Sequence, residues 1–186
     1  MKRGFDLLSL VALALLMVSC GGGVDEGAAS ALRQAGKDVE LTVLPPLVRK
    51  GQDLAPSMVQ AERLVAGLLD AGLARTWPGD AWPLLTPGWK ASGKALWKRT
   101  IKQSRSWLKA NPQPGSHTLV TEYLLGTRMV VAVHVLIFDG EGRLAYGRVL
   151  NSGDGLYMEM APIGEADCTN LALSALRQDL DLSVKR

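Results

Sequence analysis

Cysteine and histidine are scarce in this chain of 186 residues, which has two of each. Two cysteines cannot form the network of disulfides that holds many small secreted domains together, so packing must stabilise the fold. The histidines, His117 and His134, are far apart, and neither has a partner at the spacing of a known metal site. The sequence therefore predicts no metal site, no cofactor and no disulfide framework.

Motifs for catalysis or phosphate binding are also missing. Asp139 and Glu141 belong to a hairpin loop, and Cys168 falls on the apolar side of a predicted helix, where a buried thiol is expected rather than a nucleophile. His134 lies in the most apolar strand and is expected to be packed and hydrogen-bonded, whereas His117 is expected to be solvated. We therefore do not expect an enzyme.

The apolar run at the N-terminus, from Leu7 to Val18, is too short to span a bilayer. It follows Lys2 and Arg3 and precedes small residues, which is typical of a secretory signal. The tetrad Met17-Val18-Ser19-Cys20 resembles the bacterial lipobox, in which cleavage leaves the cysteine as the first residue and its sulfur receives a diacylglycerol. An ordinary cleaved signal or an uncleaved anchor is the alternative.

The chain is thus expected to have three parts: a lipoprotein signal peptide (1–19), a lipidated tether (20–37) and one globular domain (38–186). Two or three acyl chains on Cys20 would give lasting membrane attachment. Gly21 is not the aspartate that retains lipoproteins in the inner membrane. The resemblance therefore implies an outer-membrane anchor with the domain in the periplasm, with the inner membrane and the cell surface as alternatives.

The centre of the predicted domain is the segment 119–150, which contains three apolar runs separated by glycine-containing turns. The run Met129–Phe138 is apolar at nearly every position, which predicts a strand covered on both faces. A first strand is predicted over Val39–Leu44; it ends at Pro45-Pro46, and a loop with Gly51 and Pro56 is expected after it. Irregular structure is expected from Ala74 to Pro87, where Trp77-Pro78 lies, and an edge strand near Trp82–Leu85 is a possible fifth strand. The segment Asn151–Gly155 is interpreted as a turn.

Helical periodicity covers three segments: 57–69, 88–110 and 165–180. The first should begin with a capping box between Ser57 and Gln60 and end at a left-handed Gly72. We predict an α/β or α+β domain with a mixed sheet of four or five strands and about three helices.

Acidic residues are absent between Asp80 and Glu122, although the helix predicted over 88–110 carries seven cations. They recur mostly at spacings of three and four and so form a basic stripe along the helix: Lys90, Lys94, Lys98, Arg99, Lys102, Arg105 and Lys109. Such a stripe suits an anionic partner: lipid headgroups, an acidic polymer or an acidic protein face. Nucleic acid is not expected for an exported protein. The alternative is a solvated face that keeps the protein soluble.

The segment Leu41-Thr42-Val43-Leu44-Pro45-Pro46 and the helix after it resemble the opening of the curli-secretion, Pel-polysaccharide and penicillin-binding-protein-activator lipoproteins. They are also similar to the N-terminal domain of the Tol-system β-propeller protein. The segment from Trp107 to Leu144 is similar to uncharacterised exported bacterial proteins. The resemblance implies a layered α/β domain and a role in scaffolding or export, and it assigns no functional residue beyond Cys20.

These observations predict an accessory, scaffolding or assembly lipoprotein that docks an envelope component through the basic helix. Two alternatives stay open. A cell-wall or lipid hydrolase would bring polar residues together, such as His134 with Glu122 or Asp154. A small-ligand or lipid carrier would need an apolar cavity between sheet and helices. The partner and the oligomeric state are not predicted.

Overall fold

The structure, a computed structural model, describes residues 24–51, 53–73, 75–79 and 93–181. These residues form five α-helices: α1 Glu26–Ala35, α2 Met58–Asp70, α3 Gly93–Ala110, α4 Gly155–Met160 and α5 Glu165–Asp179. They also form seven strands: β1 Glu40–Val43, β2 Leu47–Lys50, β3 Asp53–Pro56, β4 Arg75–Pro78, β5 His117–Leu125, β6 Val130–Asp139 and β7 Leu144–Asn151. The predicted signal peptide, Cys20, Lys90 and the predicted edge strand at 82–85 lie outside the described residues.

The seven strands belong to one mixed sheet, and β5 lies at its centre. One edge of β5 pairs in parallel first with β1 and then with β2. Val43 pairs with Leu119 and Leu47 pairs with Glu122, so three residues of the β1–β2 connection oppose two of β5. Two of these three are Pro45 and Pro46, which have no N–H to donate to the ladder. A single extended segment is thereby divided into two strands.

The other edge of β5 continues into an antiparallel meander with β6 and β7. Val133, Val135 and Ile137 of β6 point into one apolar core, whereas Leu136 and Phe138 point into a second core on the opposite face. Burial of both faces of β6 confirms the prediction made from its continuous apolar run.

The helices cover the two faces of the sheet unequally. Leu32 of α1, Leu68 of α2, Tyr157 of α4 and Leu171 of α5 share one core with the sheet. On the opposite face, α3 supplies Trp97, Ile101 and Leu108 to the second core. The protein therefore has an α/β fold, as predicted, with helices on both faces of the sheet. Among the described helices, α3 alone covers its side of the sheet.

The sheet has more strands than the four or five predicted. β2 and β3 form a hairpin in a segment that was expected to be a loop, because Pro45, Pro46, Gly51 and Pro56 all argued against strands. β4 pairs with β1 as an edge strand, although Trp77-Pro78 predicted irregular structure. Pro78 is tolerated because it is the last residue of this edge strand.

Two helices also differ from the prediction. α1 lies in the segment expected to be a tether, but its Ala28, Ala29 and Leu32 are buried and Asp25 caps its first turn by accepting a hydrogen bond from the Ala28 amide (2.9 Å). α4 begins after Asp154, whose carboxylate accepts from the amides of Leu156 and Tyr157, in a segment interpreted as a turn.

The ends of α2 show one correct and one wrong prediction. The sequence predicted a capping box between Ser57 and Gln60, but the Ser57 side chain makes no capping hydrogen bond, and Gln60 instead accepts from Thr169 of α5 at 2.7 Å. Gly72 adopts a positive φ of 94°, which confirms the predicted left-handed stop after this helix.

Candidate functional site

Three polar side chains lie side by side across the middle strands of the sheet. Glu122 of β5 lies directly opposite His134 of β6 in the antiparallel ladder, so the two side chains share a face. On the other side of β5, Leu47 of β2 lies beside Glu122, and Arg49 follows two residues later with its side chain on the same face. This is the face that α3 covers.

Both oxygens of Glu122 have partners. Oε1 accepts hydrogen bonds from Nη2 (3.0 Å) and Nε (3.3 Å) of Arg49. Oε2 accepts from the hydroxyl of Thr100 on α3 at 2.9 Å and lies 3.1 Å from Nδ1 of His134. We call these four residues the Glu122 cluster. They join α3 to three strands of the sheet.

The Glu122 cluster keeps a buried carboxylate ionised. The Glu122 side chain has no solvent exposure, and burial by itself would raise the pKa of its carboxyl group. The hydrogen bond and charge of His134, together with the hydrogen bonds from Arg49 and Thr100, outweigh burial and lower the pKa below the usual 4.5. Arg49, whose side chain is 14% exposed, supplies the compensating positive charge.

The partner of His134 decides which ring nitrogen carries the proton. Because a carboxylate only accepts hydrogen bonds, Nδ1 of His134 must donate to Glu122. In the neutral ring, Nε2 is then an acceptor. Trp97 of α3 stands edge-on to this ring, with the ring centroids 5.1 Å apart and the planes at 74°. His134 is thus fixed in both tautomer and orientation, and the prediction of a packed, hydrogen-bonded histidine is confirmed.

The Glu122 cluster does not contain the parts of a nucleophilic site. Its only hydroxyl, that of Thr100, donates to Glu122 rather than to His134. Asp154, considered with His134 in the hydrolase alternative, instead pairs with Arg148 at 3.0 Å. Within the described residues, no group of three or more His, Cys, Asp or Glu side chains could hold a metal ion. The chemically useful group of the cluster is the His134 imidazole, whose Nδ1 donates to the Glu122 carboxylate.

A cleft of about 540 Å³ opens beside this imidazole, between the start of α3 and the sheet. Its described walls include Trp97, Leu124, Val131 and Val149 with His134 among them. This volume is in the range of small-molecule sites, which are typically apolar clefts with a few polar groups. The cavity required by the ligand-carrier alternative is therefore present.

The basic stripe lies on the outer side of α3. Five of its members are exposed, and we call them the basic face: Lys94, Lys98, Arg99, Lys102 and Lys109. Arg105 is half-buried, and its Nε donates to the carbonyl oxygen of Gly142 in the β6–β7 loop at 3.1 Å. Lys90 lies outside the described residues. Five of the seven residues in the predicted stripe are therefore exposed on α3, whereas Arg105 turns toward the sheet.

The other candidate residues have structural roles. His117 is buried, contrary to the prediction that it is solvated, and burial lowers the pKa of its ring against the opposing charge of Asp139. Asp139 accepts from the amides of Glu141 and Arg143, as expected of a turn residue. Cys168 is fully buried in the core on α5, and burial, with the nearby Asp167 and Glu165 charges, raises the pKa of its thiol to about 12.

Sequence reasoning missed Arg49 and Thr100. Arg49 could not be placed because β2 was not expected, and Thr100 stands among lysines on a helix without any local sign of its partner. The available signal was Glu122 itself, a carboxylate inside the apolar run LVTEYLL. A charged residue in such a strand requires a partner, since buried charges are almost always paired.

Comparison of the chain with protein families, with curated protein sequences and with solved structures finds no match. Any functional assignment therefore depends on the residues and the geometry described above.

Replacing the buried carboxylate should destabilise the protein. Glu122→Gln preserves size but leaves Arg49 without its counter-charge, which should lower the free energy of unfolding by about 3–5 kcal/mol in urea titrations near neutral pH. Because the pKa of Glu122 is lowered by folding, its contribution is complete above the ordinary value of 4.5 and is lost as the pH falls through the folded-state pKa. The difference between wild type and variant should therefore shrink in acid.

Glu141→Gln is the matched control, since the Glu141 side chain is 73% exposed and its ion pair within the described residues is with Arg143 at 3.3 Å. It should change the free energy of unfolding by less than about 1 kcal/mol. Equal effects of the two substitutions would contradict a special role for Glu122.

The Cys168 thiol should be inert in the folded protein. In a chain carrying Cys20→Ser, Ellman's reagent should not react with the native state, because the thiol is buried and its pKa is raised to about 12. It should react fully once the chain is unfolded in guanidinium. Rapid reaction of the native protein would show that Cys168 is accessible.

Proposed function

We propose that this chain is a lipid-anchored envelope lipoprotein that acts as an accessory, scaffolding or assembly factor and docks an anionic surface through the basic face of α3. The observation that supports this docking is the separation of charge and apolar surface on one helix. The inner side of α3 is packed into the second core through Trp97, Ile101 and Leu108. The outer side carries the five exposed cations of the basic face.

The cations of the basic face have no acidic partner among the residues that the structure describes. None of them forms an ion pair within the described part of the chain. Lys94, Lys98 and Lys102 follow one another at intervals of four, so like charges are neighbours on the helix surface. Each such pair costs about 0.2–0.5 kcal/mol. An anionic surface would remove this cost. Because α3 is fixed on the sheet, its cations are presented together on one side of the protein.

The membrane attachment in this proposal is the acylated Cys20. Within the part of the chain that the structure describes, no helix is long and apolar enough to cross a bilayer. The first described residues, Val24 and Asp25, precede α1, which packs on β7. The folded body thus begins a few residues after the proposed lipid, which supports a short connection to the membrane.

Cys20→Ser should abolish lipidation. Wild-type protein made in bacteria grown with labelled palmitate should carry the label and sediment with membranes, because several acyl chains anchor a protein stably. The variant should carry no label and should be released into the soluble fraction. An unlabelled wild-type protein would contradict the lipoprotein assignment.

Charge reversal on the basic face should abolish surface binding. In the Cys20→Ser background, the protein should bind phosphatidylglycerol vesicles but not phosphatidylcholine vesicles, and salt should weaken the binding. Adding Lys98→Glu with Lys102→Glu should remove most of this binding in a co-sedimentation assay, since each cation near an anionic surface contributes about 1 kcal/mol.

The control makes the same change in net charge on the opposite face of the protein. Arg33 of α1 and Arg63 of α2 are both exposed on the side of the sheet that α3 does not cover. Arg33→Glu with Arg63→Glu should leave most of the binding intact. If both pairs of substitutions weaken binding equally, only net charge matters and the docking face assigned here is wrong.

A further inference from the structure

The cleft beside His134 has a floor made by the sheet and a roof made by α3. The floor consists of side chains that share the α3-facing side of β5, β6 and β7, namely Leu124, Ala132, His134 and Val149, together with Gly147. The roof is the first turn of α3 with Trp97 one turn further on. The cleft is therefore a gap between α3 and the sheet, at the N-terminal end of the helix, where the two do not pack directly against each other.

Small residues explain why the interface stays open there. Further along the same face of the sheet, Leu136 and Phe138 fill the space below α3. In the cleft, the corresponding position on β6 is the small Ala132, and Gly147 of β7 lies at the inner end beside Leu136. Gly147 also lets Trp97 lie against the strand, since a Cβ there would be only 3.1 Å from the indole ring. The register of β5 and β6 shifts between Leu124 and Leu125, and bulges of this kind often lie next to binding sites.

The polar groups of the cleft are few and come from different elements. His134 lies in the floor and is only 1% exposed, Asn151 lies at the end of β7, and Lys94 lies on the first turn of α3. The Nδ1 atom of His134 is committed to Glu122, and Nε2 makes no hydrogen bond within the described chain. Nε2 is therefore the ring nitrogen that a ligand in the cleft could contact.

We propose that this cleft binds a small carboxylic acid with an apolar body, such as an alkyl or aryl acid. The apolar body lies against Trp97, Leu124 and Val149, and the carboxylate lies between Nε2 of His134 and the ammonium group of Lys94. When the acid is bound, His134 carries a proton on each nitrogen, donating one to Glu122 and one to the ligand. This site shares Lys94 with the basic face, but its other groups lie beneath α3, so ligand binding in the cleft and docking through Lys98 and Lys102 can be tested independently.

The groups that face the imidazole come from several elements. Glu122 lies on β5, Arg49 on β2 and Lys94 on α3, and Thr100 and Trp97 of α3 and Asn151 of β7 are uncharged. Arg49 and Glu122 pair with each other, so Lys94 is the cation in the cleft wall that a ligand carboxylate would meet.

A fluorescent fatty acid provides the test. A dansylated undecanoic acid should bind the folded Cys20→Ser protein saturably at one site per chain. Unlabelled acids should displace this probe. Stronger displacement by laurate would indicate an alkyl ligand, and stronger displacement by phenylbutyrate an aryl ligand. The methyl ester of the probe should bind at least about tenfold more weakly, because it cannot form charged hydrogen bonds. Equal binding of acid and ester would overturn the assignment of the polar end.

Two variants separate the cleft from the rest of the protein. Val149 is half-buried at the edge of the second core, so Val149→Trp should fill the cleft and abolish probe binding while the circular dichroism spectrum stays native. Lys94→Gln should weaken binding about tenfold, whereas Lys98→Gln, one turn further along the basic face, should not change it. The proposal is wrong if the wild type shows no saturable binding, or if Val149→Trp binds the probe as well as wild type does.

Discussion

The Glu122 carboxylate connects the central strands of the sheet to α3, the helix that covers one face of the sheet. It lies on the central strand of the sheet, and its partners come from β2, β6 and α3. A buried charge without partners would cost several kcal/mol, so the three elements can pack together only if Arg49, Thr100 and His134 are all in place. This requirement selects one register for β2 beside β5 and one position for α3 over the sheet.

The position of α3 determines both proposed functional features. Trp97 and Thr100 fix the inner side of the helix above His134 and Glu122, and the cations of the basic face are turned outward as a result. The same placement leaves the first turn of the helix beside Ala132, whose small side chain leaves the cleft open, while Trp97 lies against Gly147. A helix that was free to roll on the sheet would neither present a fixed basic face nor keep a ligand cleft beside its histidine.

Sequence patterns predicted the parts of the fold in which one signal dominates. The continuous apolar run of β6 predicted a strand buried on both faces, and the stripe of α5 predicted a buried Cys168. Prediction failed where long-range pairing overrode local preference. Pro45 and Pro46 argued against strands, yet the chain on each side of them pairs with one long neighbour, β5. Arg49 follows that interruption, so its meeting with Glu122 depends on a pairing that no local pattern contains.

The central claim is that Glu122 remains ionised inside the protein because Arg49, His134 and Thr100 stabilise its charge. The most direct test is a carbon-13 NMR titration of the Glu122 side-chain carboxyl in the folded protein, assigned with the Glu122→Gln variant. The account predicts a pKa below the ordinary 4.5, since hydrogen bonds and opposite charge outweigh burial. A pKa above that value would contradict the account, because burial would then dominate and the carboxyl group would be held mainly as the neutral acid.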